Sequence, residues 1–215
     1  MLALWGVSGF PNARTQPHML ELFHKGGPIM WPLLVLSIVA LTVVLERLVF
    51  IAREKARRSA ADVDEMLTQV EGGDLDAAAN MGISSRDFVV RALAYALTHR
   101  ARSFSEAMLR AANWELKRFN RGLTILDTTI TLAPLLGLLG TVTGMIRSFG
   151  MLGGAELGAP SAITGGIAEA LIATAFGLGI AITALLPFNY LNARLEEARL
   201  EMQDAASHVE IHLKK

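Results

Sequence analysis

The chain has 215 residues, just over half of them hydrophobic and 19% charged, with twenty basic side chains against twenty acidic ones. A formal net charge of zero leaves no surplus to hold nucleic acid, and the absence of cysteine excludes a disulfide framework, a thiolate metal site and a catalytic thiol. The charges crowd between three long apolar windows, so the composition points to an all-α membrane protein rather than a soluble domain.

Residues 1–25 carry no basic start and break at Phe10-Pro11, a poor match to a cleaved signal peptide. They read as an outer segment in which "HMLELFHKGG" forms a short helix lying on the membrane interface. The first apolar window, Gly26 to Leu45, has twenty residues without a charge. A hydrocarbon core needs about 20 helical residues, so we place the first transmembrane helix at 26–52, acting as an uncleaved anchor. Glu46 and Arg47 at its inner end read as an interfacial pair.

Residues 53–121 follow as a helical segment. "AADVDEMLTQVEGGDLDAAANMG" predicts a helix, a break at Gly72-Gly73 and a short helix ending near Gly82. "SSRDFVVRALAYALTHR" and "SFSEAMLRAANWELKRFNRG" are amphipathic at helical spacing, with Ser103 or Ser105 as the cap of the second. Phe104, Met108, Ala111, Ala112, Glu115 and Phe119 make its stripe.

The second span, 122–148, has Asp127 as the only charge between Gly122 and Ile146. Asp127, Thr131, Pro134, Gly137, Thr141, Gly144 and Ser148 recur at steps of 4, 3, 3, 4, 3 and 4, one continuous stripe on a helix. Such a stripe faces a pore, a partner or a tightly packed helix rather than lipid. A short outer loop, 149–161, leads to the third span, 162–190, in which Gly166, Ala170, Ala173, Gly177, Ala181 and Ala184 form a small-residue ridge for helix packing. Glu169 and Thr174 flank that ridge, roughly 140° apart around the axis. A lone threonine in such a helix commonly bonds its own i−4 carbonyl. A carboxylate there marks a functional position or a structural hydrogen bond. Counted from the loop, Thr141 and Glu169 fall at one level, roughly 10 Å below the outer surface. Asp127, near the inner end, is either pore-facing or wet and paired with Arg121.

Residues 191–215 continue as a C-terminal helix with Leu195, Leu200, Met202 and Val209 as its apolar contacts. Spans two and three are expected to project into a helical bundle with the middle segment. Arg53, Lys55, Arg57, Arg58, Lys117, Arg118 and Arg121 flank that segment, which by the positive-inside rule is cytoplasmic, with the N-terminus outside and the C-terminus inside.

Chemistry of a soluble site is not visible. His208 and His212 are four apart on a charged tail and read as solvated, so no metal is expected. "GGIAEA" and "GLLGTVTG" lie inside apolar helices rather than after strands, against nucleotide binding, and no motif supports an enzyme or a cofactor.

"LAPLLGLLGTVTGMIRSF" (132–149) followed by "GGIAEALIATAFGLGIAITALLPFNYLNAR" (165–194) resembles the MotA/TolQ/ExbB proton-channel family, ExbB/TolQ branch, as does "GGPIMWPLLVLSIVALTVVLERL" (26–48). The resemblance implies a homo-oligomer, a pentamer, in the bacterial inner membrane. Its second and third spans would line a pore around single-span partners of the ExbD/TolR type, with a TonB/TolA-type protein beyond. It places the proton path on Thr141, Glu169 and Thr174. The implied function is ExbB-like conversion of the proton gradient into mechanical work on the cell envelope. A TolQ-like role in envelope integrity and a non-conducting scaffold are the alternatives.

Overall fold

The computed structural model describes residues 19–150 and 160–213, which are helical throughout their regular structure, with no strand among them. In chain order the helices are α1 (Met19–Lys25), α2 (Met30–Arg57), α3 (Ala60–Glu71), α4 (Leu75–Ser84), α5 (Phe88–Thr98), α6 (Arg100–Asn120), α7 (Leu123–Gly150) and α8 (Pro160–Leu213). Three of them, α2, α7 and α8, are long and apolar enough to cross a membrane, as an all-α membrane protein requires. The short N-terminal helix falls where the sequence places one, whereas most of the 149–161 loop lies outside the described residues.

The chain divides into two compact units, residues 1–35 with 133–179 and residues 36–132 with 180–215. The second unit holds the bundle. Its core joins Met66 and Val70 of α3, Val89, Val90, Leu93 and Leu97 of α5, and Met202 and Val209 of α8, all nearly inaccessible. Phe119 stands edge-on to both Phe50 and Phe88 at 5.3 Å between ring centroids.

Local chemistry sets the bundle's boundaries. Ser59 caps α3, its Oγ accepting from Asp62 N at 3.3 Å, and Asp74 caps α4, its Oδ1 accepting from Ala77 N at 3.0 Å. The turn between them uses Gly72 and Gly73, as the sequence predicts. Helix α4 ends at Ser84, near Gly82 as the sequence predicts. A Cβ on Gly82 would lie 2.1 Å from Ala94 Cβ, so this glycine serves close packing of α5. Ser103 is the cap expected in α6: its backbone is extended, and its Oγ accepts from Glu106 N at 3.2 Å.

Span two reaches the bundle as expected, burying Leu123 and Leu126 of α7 in its core. The chain turns between α6 and α7 at Arg121 and Gly122, where φ is +82°, a conformation glycine adopts at little cost. Span three continues inward too, since α8 is unbroken for 54 residues despite Pro187. Along its C-terminal part Leu191, Ala198, Met202, Ala205 and Val209 are buried, whereas Leu200, expected as a contact, is 51% exposed. It falls two residues before Met202, on the opposite side of the helix.

Two buried charged groups of this unit, Asp87 and Arg47, are held by close partners. Asp87 is buried and caps α5, accepting from Val89 N at 2.8 Å, while its other oxygen accepts from Ser59 N at 2.8 Å and from Arg58 Nη1. Burial opposes the charge of Arg58, but hydrogen bonds with, and the fields of, Asp87 and Glu201 outweigh it and raise its pKa above the usual arginine value. Arg47, with its side chain 3% exposed, pairs with Glu46 as expected and donates from Nη1 to Arg118 O at 2.8 Å.

Candidate functional site

In the first unit α7 and α8 run antiparallel along a seam of small residues. A Cβ built on Gly137 would lie 3.0 Å from Thr174 Cα, one on Gly140 2.5 Å from Ala173 Cβ, and one on Gly144 3.1 Å from Ala170 Cβ. On the α8 side, a Cβ on Gly177 would meet Ala133 O at 2.5 Å and one on Gly166 would meet Ser148 Oγ at 1.8 Å. A methyl group is tight at all of these crossing points, and severely so at Gly140 and Gly177, where a neighbour would lie 2.5 Å away. Without a hydrophobic force between helices in lipid, such close approach is the main source of attraction. Gly137, Gly144 and Ser148 therefore touch α8 of their own chain, and Gly166, Ala170, Ala173 and Gly177 supply the other side. The large side chains, among them Leu135, Leu138, Ile146 and Leu171, point outward.

Thr174 sits on this seam. Its Oγ1 donates to Gly137 O at 2.9 Å, a bond across helices rather than the i−4 bond common for threonine. Ser148 is buried and makes the local bond, Oγ to Gly144 O at 2.9 Å. Thr141 is half-buried and donates to Leu138 O at 2.7 Å, leaving its oxygen free to accept.

Glu169 is gathered by two elements the sequence did not connect. Its Oε1 accepts from Arg147 Nη1 at 3.2 Å, with the arginine side chain 53% exposed and the carboxylate 26%. On its other side is Gly27, in the turn between α1 and α2: a Cβ there would fall 1.9 Å from Glu169 Oε1. Gly27 has φ of +73°, so both backbone conformation and space select glycine. The guanidinium offsets the cost of a carboxylate in an apolar helix. Arg147 is legible in the sequence only as the one basic residue near the loop, and Gly27 gives no signal beyond its neighbour Gly26.

The seam also sets the register. Gly140 opposes Ala173 and Gly144 opposes Ala170, so Thr141 lies about one turn, roughly 5 Å, deeper along α7 than Glu169. Counting inward from the loop placed them level; glycine-to-alanine contacts, not equal arm lengths, fix the alignment. Pro134 is half-buried in α7. Asp127, Thr131 and Ala181 belong to the other unit; Asp127 and Thr131 are exposed there and Ala181 is buried. Thr131 Oγ1 donates to Thr128 O at 3.0 Å and Asp127 O at 3.2 Å. Among the described residues of the first unit there is no cluster of metal-ligating side chains.

Residues 84–204 match the model of the MotA/TolQ/ExbB proton channel family. The chain is 42% identical over 182 residues to ExbB-like 1, a biopolymer transport protein of Synechocystis sp., covering 81% of this chain and 71% of that one. It is 33% identical over 186 residues to an ExbB homolog of Methanothermobacter thermautotrophicus, covering 83% and 64%. It is 40% identical over 89 residues to the Tol-Pal system protein TolQ of Haemophilus influenzae, covering 41% and 39%. Apolar helices, small-residue seam and these similarities agree: the chain belongs to the MotA/TolQ/ExbB proton channel family, on its ExbB/TolQ branch.

Proposed function

We propose that this chain is an ExbB-like subunit of a proton-driven energy transducer in the bacterial inner membrane. Five copies surround single-span helices of the ExbD/TolR type, and Thr141, Glu169 and Thr174 mark the proton path. Residues 53–121 and the C-terminal helix are cytoplasmic and the N-terminus is periplasmic. Passage of protons charges and neutralises an acid on the partner helix, and the resulting displacement is passed to a TonB/TolA-type protein. Each proton crossing about 150 mV releases about 3.5 kcal/mol, several times thermal energy. The observation that carries this reading is Glu169, a carboxylate kept inside an apolar helix beside Arg147. The longer alignment to ExbB-like 1 than to TolQ supports the ExbB-like role over envelope maintenance.

The test is proton flux in liposomes with an ExbD-type partner present. Glu169→Gln is expected to lower flux at least tenfold while the ring remains assembled by native mass spectrometry. Unchanged flux rejects the channel role of Glu169. A second reading, a non-conducting scaffold, draws on the Thr174–Gly137 bond, whose geometry is that of a structural tie. It predicts that Thr174→Val loosens assembly and leaves flux per assembled ring unchanged.

A further inference from the structure

The C-terminal part of α8 carries His208 and His212 one turn apart, and in the second unit the last residue of α3, Glu71, reaches them. His208 Nε2 is 2.7 Å from Glu71 Oε1, between residues 137 apart in sequence. One ligating atom from each of the three side chains lies within 4.8 Å of the others. The imidazole rings are stacked, with centroids 4.9 Å apart and planes at 22°.

Hydrogen bonding sets the second ring's chemistry. His212 Nδ1 is 3.0 Å from His208 O. A carbonyl only accepts, so Nδ1 is the protonated nitrogen and Nε2 presents its lone pair. A backbone carbonyl orienting the far side of an imidazole is the usual support of a metal-bound histidine. The His208–Glu71 bond is the other half: a divalent cation can take the place of the proton between Nε2 and the carboxylate once the neutral ring carries its proton on Nδ1 instead.

We propose that Glu71, His208 and His212 form a binding site for a divalent transition-metal ion of the zinc class. Two imidazoles with one carboxylate favour Zn²⁺, Co²⁺, Ni²⁺ or Cu²⁺ over the oxygen-seeking Mg²⁺ and Ca²⁺. With metal–ligand bonds of about 2.0–2.2 Å the donors end about 3.3 Å apart. The pairs now wider than this close by side-chain rotation, for which these partly exposed groups have room. Three protein ligands leave at least one position to water. The bound ion ties the end of α3 to the last turns of α8, two elements that share one apolar core through Met66, Val70, Met202 and Val209.

The experiment uses the full chain in detergent, free of any polyhistidine tag and stripped with a chelator. Zn²⁺ is titrated by calorimetry, and Co²⁺ is followed by its visible absorption. One ion per chain with micromolar or tighter affinity is expected, with the strong d–d bands of a four- or five-coordinate site and little response to Mg²⁺. His212→Gln and His208→Gln are each expected to weaken Zn²⁺ at least tenfold, and Glu71→Gln several-fold. Thermal unfolding in chelator, the same for wild type and variants, shows that the variants are folded. In wild type alone, Zn²⁺ is expected to raise the melting temperature. Zn²⁺ affinity unchanged by either histidine substitution, or a Co²⁺ spectrum of the hexaaqua ion, overturns the proposal.

Discussion

Thr174 donates its hydroxyl hydrogen bond to the main-chain carbonyl of Gly137, 2.9 Å away across the contact between α7 and α8. Glycine permits this, because any side chain at 137 would press on Thr174 Cα and Ala173 O, at 3.0 and 3.1 Å from its Cβ. Hydrogen bonds of this kind between membrane helices contribute about 0.6 kcal/mol on average and up to about 1.7. Thr174→Val keeps the shape and removes the donor. It is expected to lower the unfolding free energy in detergent within that range, and Thr174→Ser to restore most of it. Equal stability for Val and wild type removes the bond as a stabilising element.

The seam glycines differ in what surrounds them. At Gly177 a methyl group meets Ala133 O at 2.5 Å and Gly137 Cα at 3.1 Å, backbone atoms that do not move aside. Gly177→Ala should cost about 1–3 kcal/mol through overpacking. A Cβ built on Gly179, two residues on, would have nothing within 4 Å outside its own helix turn. Gly179→Ala should be neutral or stabilise by up to about 1 kcal/mol, since alanine loses less backbone freedom in a helix. Thermal melts of the two variants side by side check the contrast.

Arg147 and Glu169 touch at 3.2 Å, so their substitutions should not add. A double-mutant cycle with Arg147→Gln and Glu169→Gln is expected to give a coupling of about 0.5–3 kcal/mol. Additive melts would mean that the pair carries no energy.

Gly27→Ala meets two obstacles, a left-handed backbone and the Glu169 carboxylate. The first costs about 1–2 kcal/mol whatever the neighbour. The second disappears when the carboxylate is removed. Gly27→Ala should therefore destabilise less in a Glu169→Ala background than in wild type, a difference measurable by thermal unfolding.

Asp87 gathers Arg58, Ser59 N and the first turn of α5 while almost wholly buried. Asp87→Ala removes one of the two carboxylates on Arg58, leaving Glu201, and uncaps α5, for an expected loss of about 2–4 kcal/mol. Asp87→Asn retains a capping oxygen and should cost less. Chemical denaturation of the full chain in detergent compares the two.

Helix positions were legible because their signals are local. Gly72-Gly73 ends α3, Ser103 caps the part of α6 that follows it, and the absence of charge from Gly26 to Leu45 marks most of α2. Pairings were not, because they depend on register between distant segments. Glu169 stands out as the sole charge of its span, yet nothing near it in sequence names Arg147 or Gly27 as neighbours. Gly82 is alike: the helix end near it was legible, its close contact with Ala94 was not. Leu200 misled because leucine suggests a contact, whereas the bundle accepts the smaller Ala198 and Ala205 on the buried line.

The α7–α8 seam has a bearing on how the sequence can drift. Gly137, Gly140 and Gly144 each face a close neighbour, nearest at Gly140, while Leu135, Leu138, Val142 and Ile146 around them look away from it. Saturation mutagenesis along this helix should show tolerance rising and falling every three to four positions. Apolar residues would interchange freely on one side, and single methyl groups would be costly on the other, most of all at Gly140.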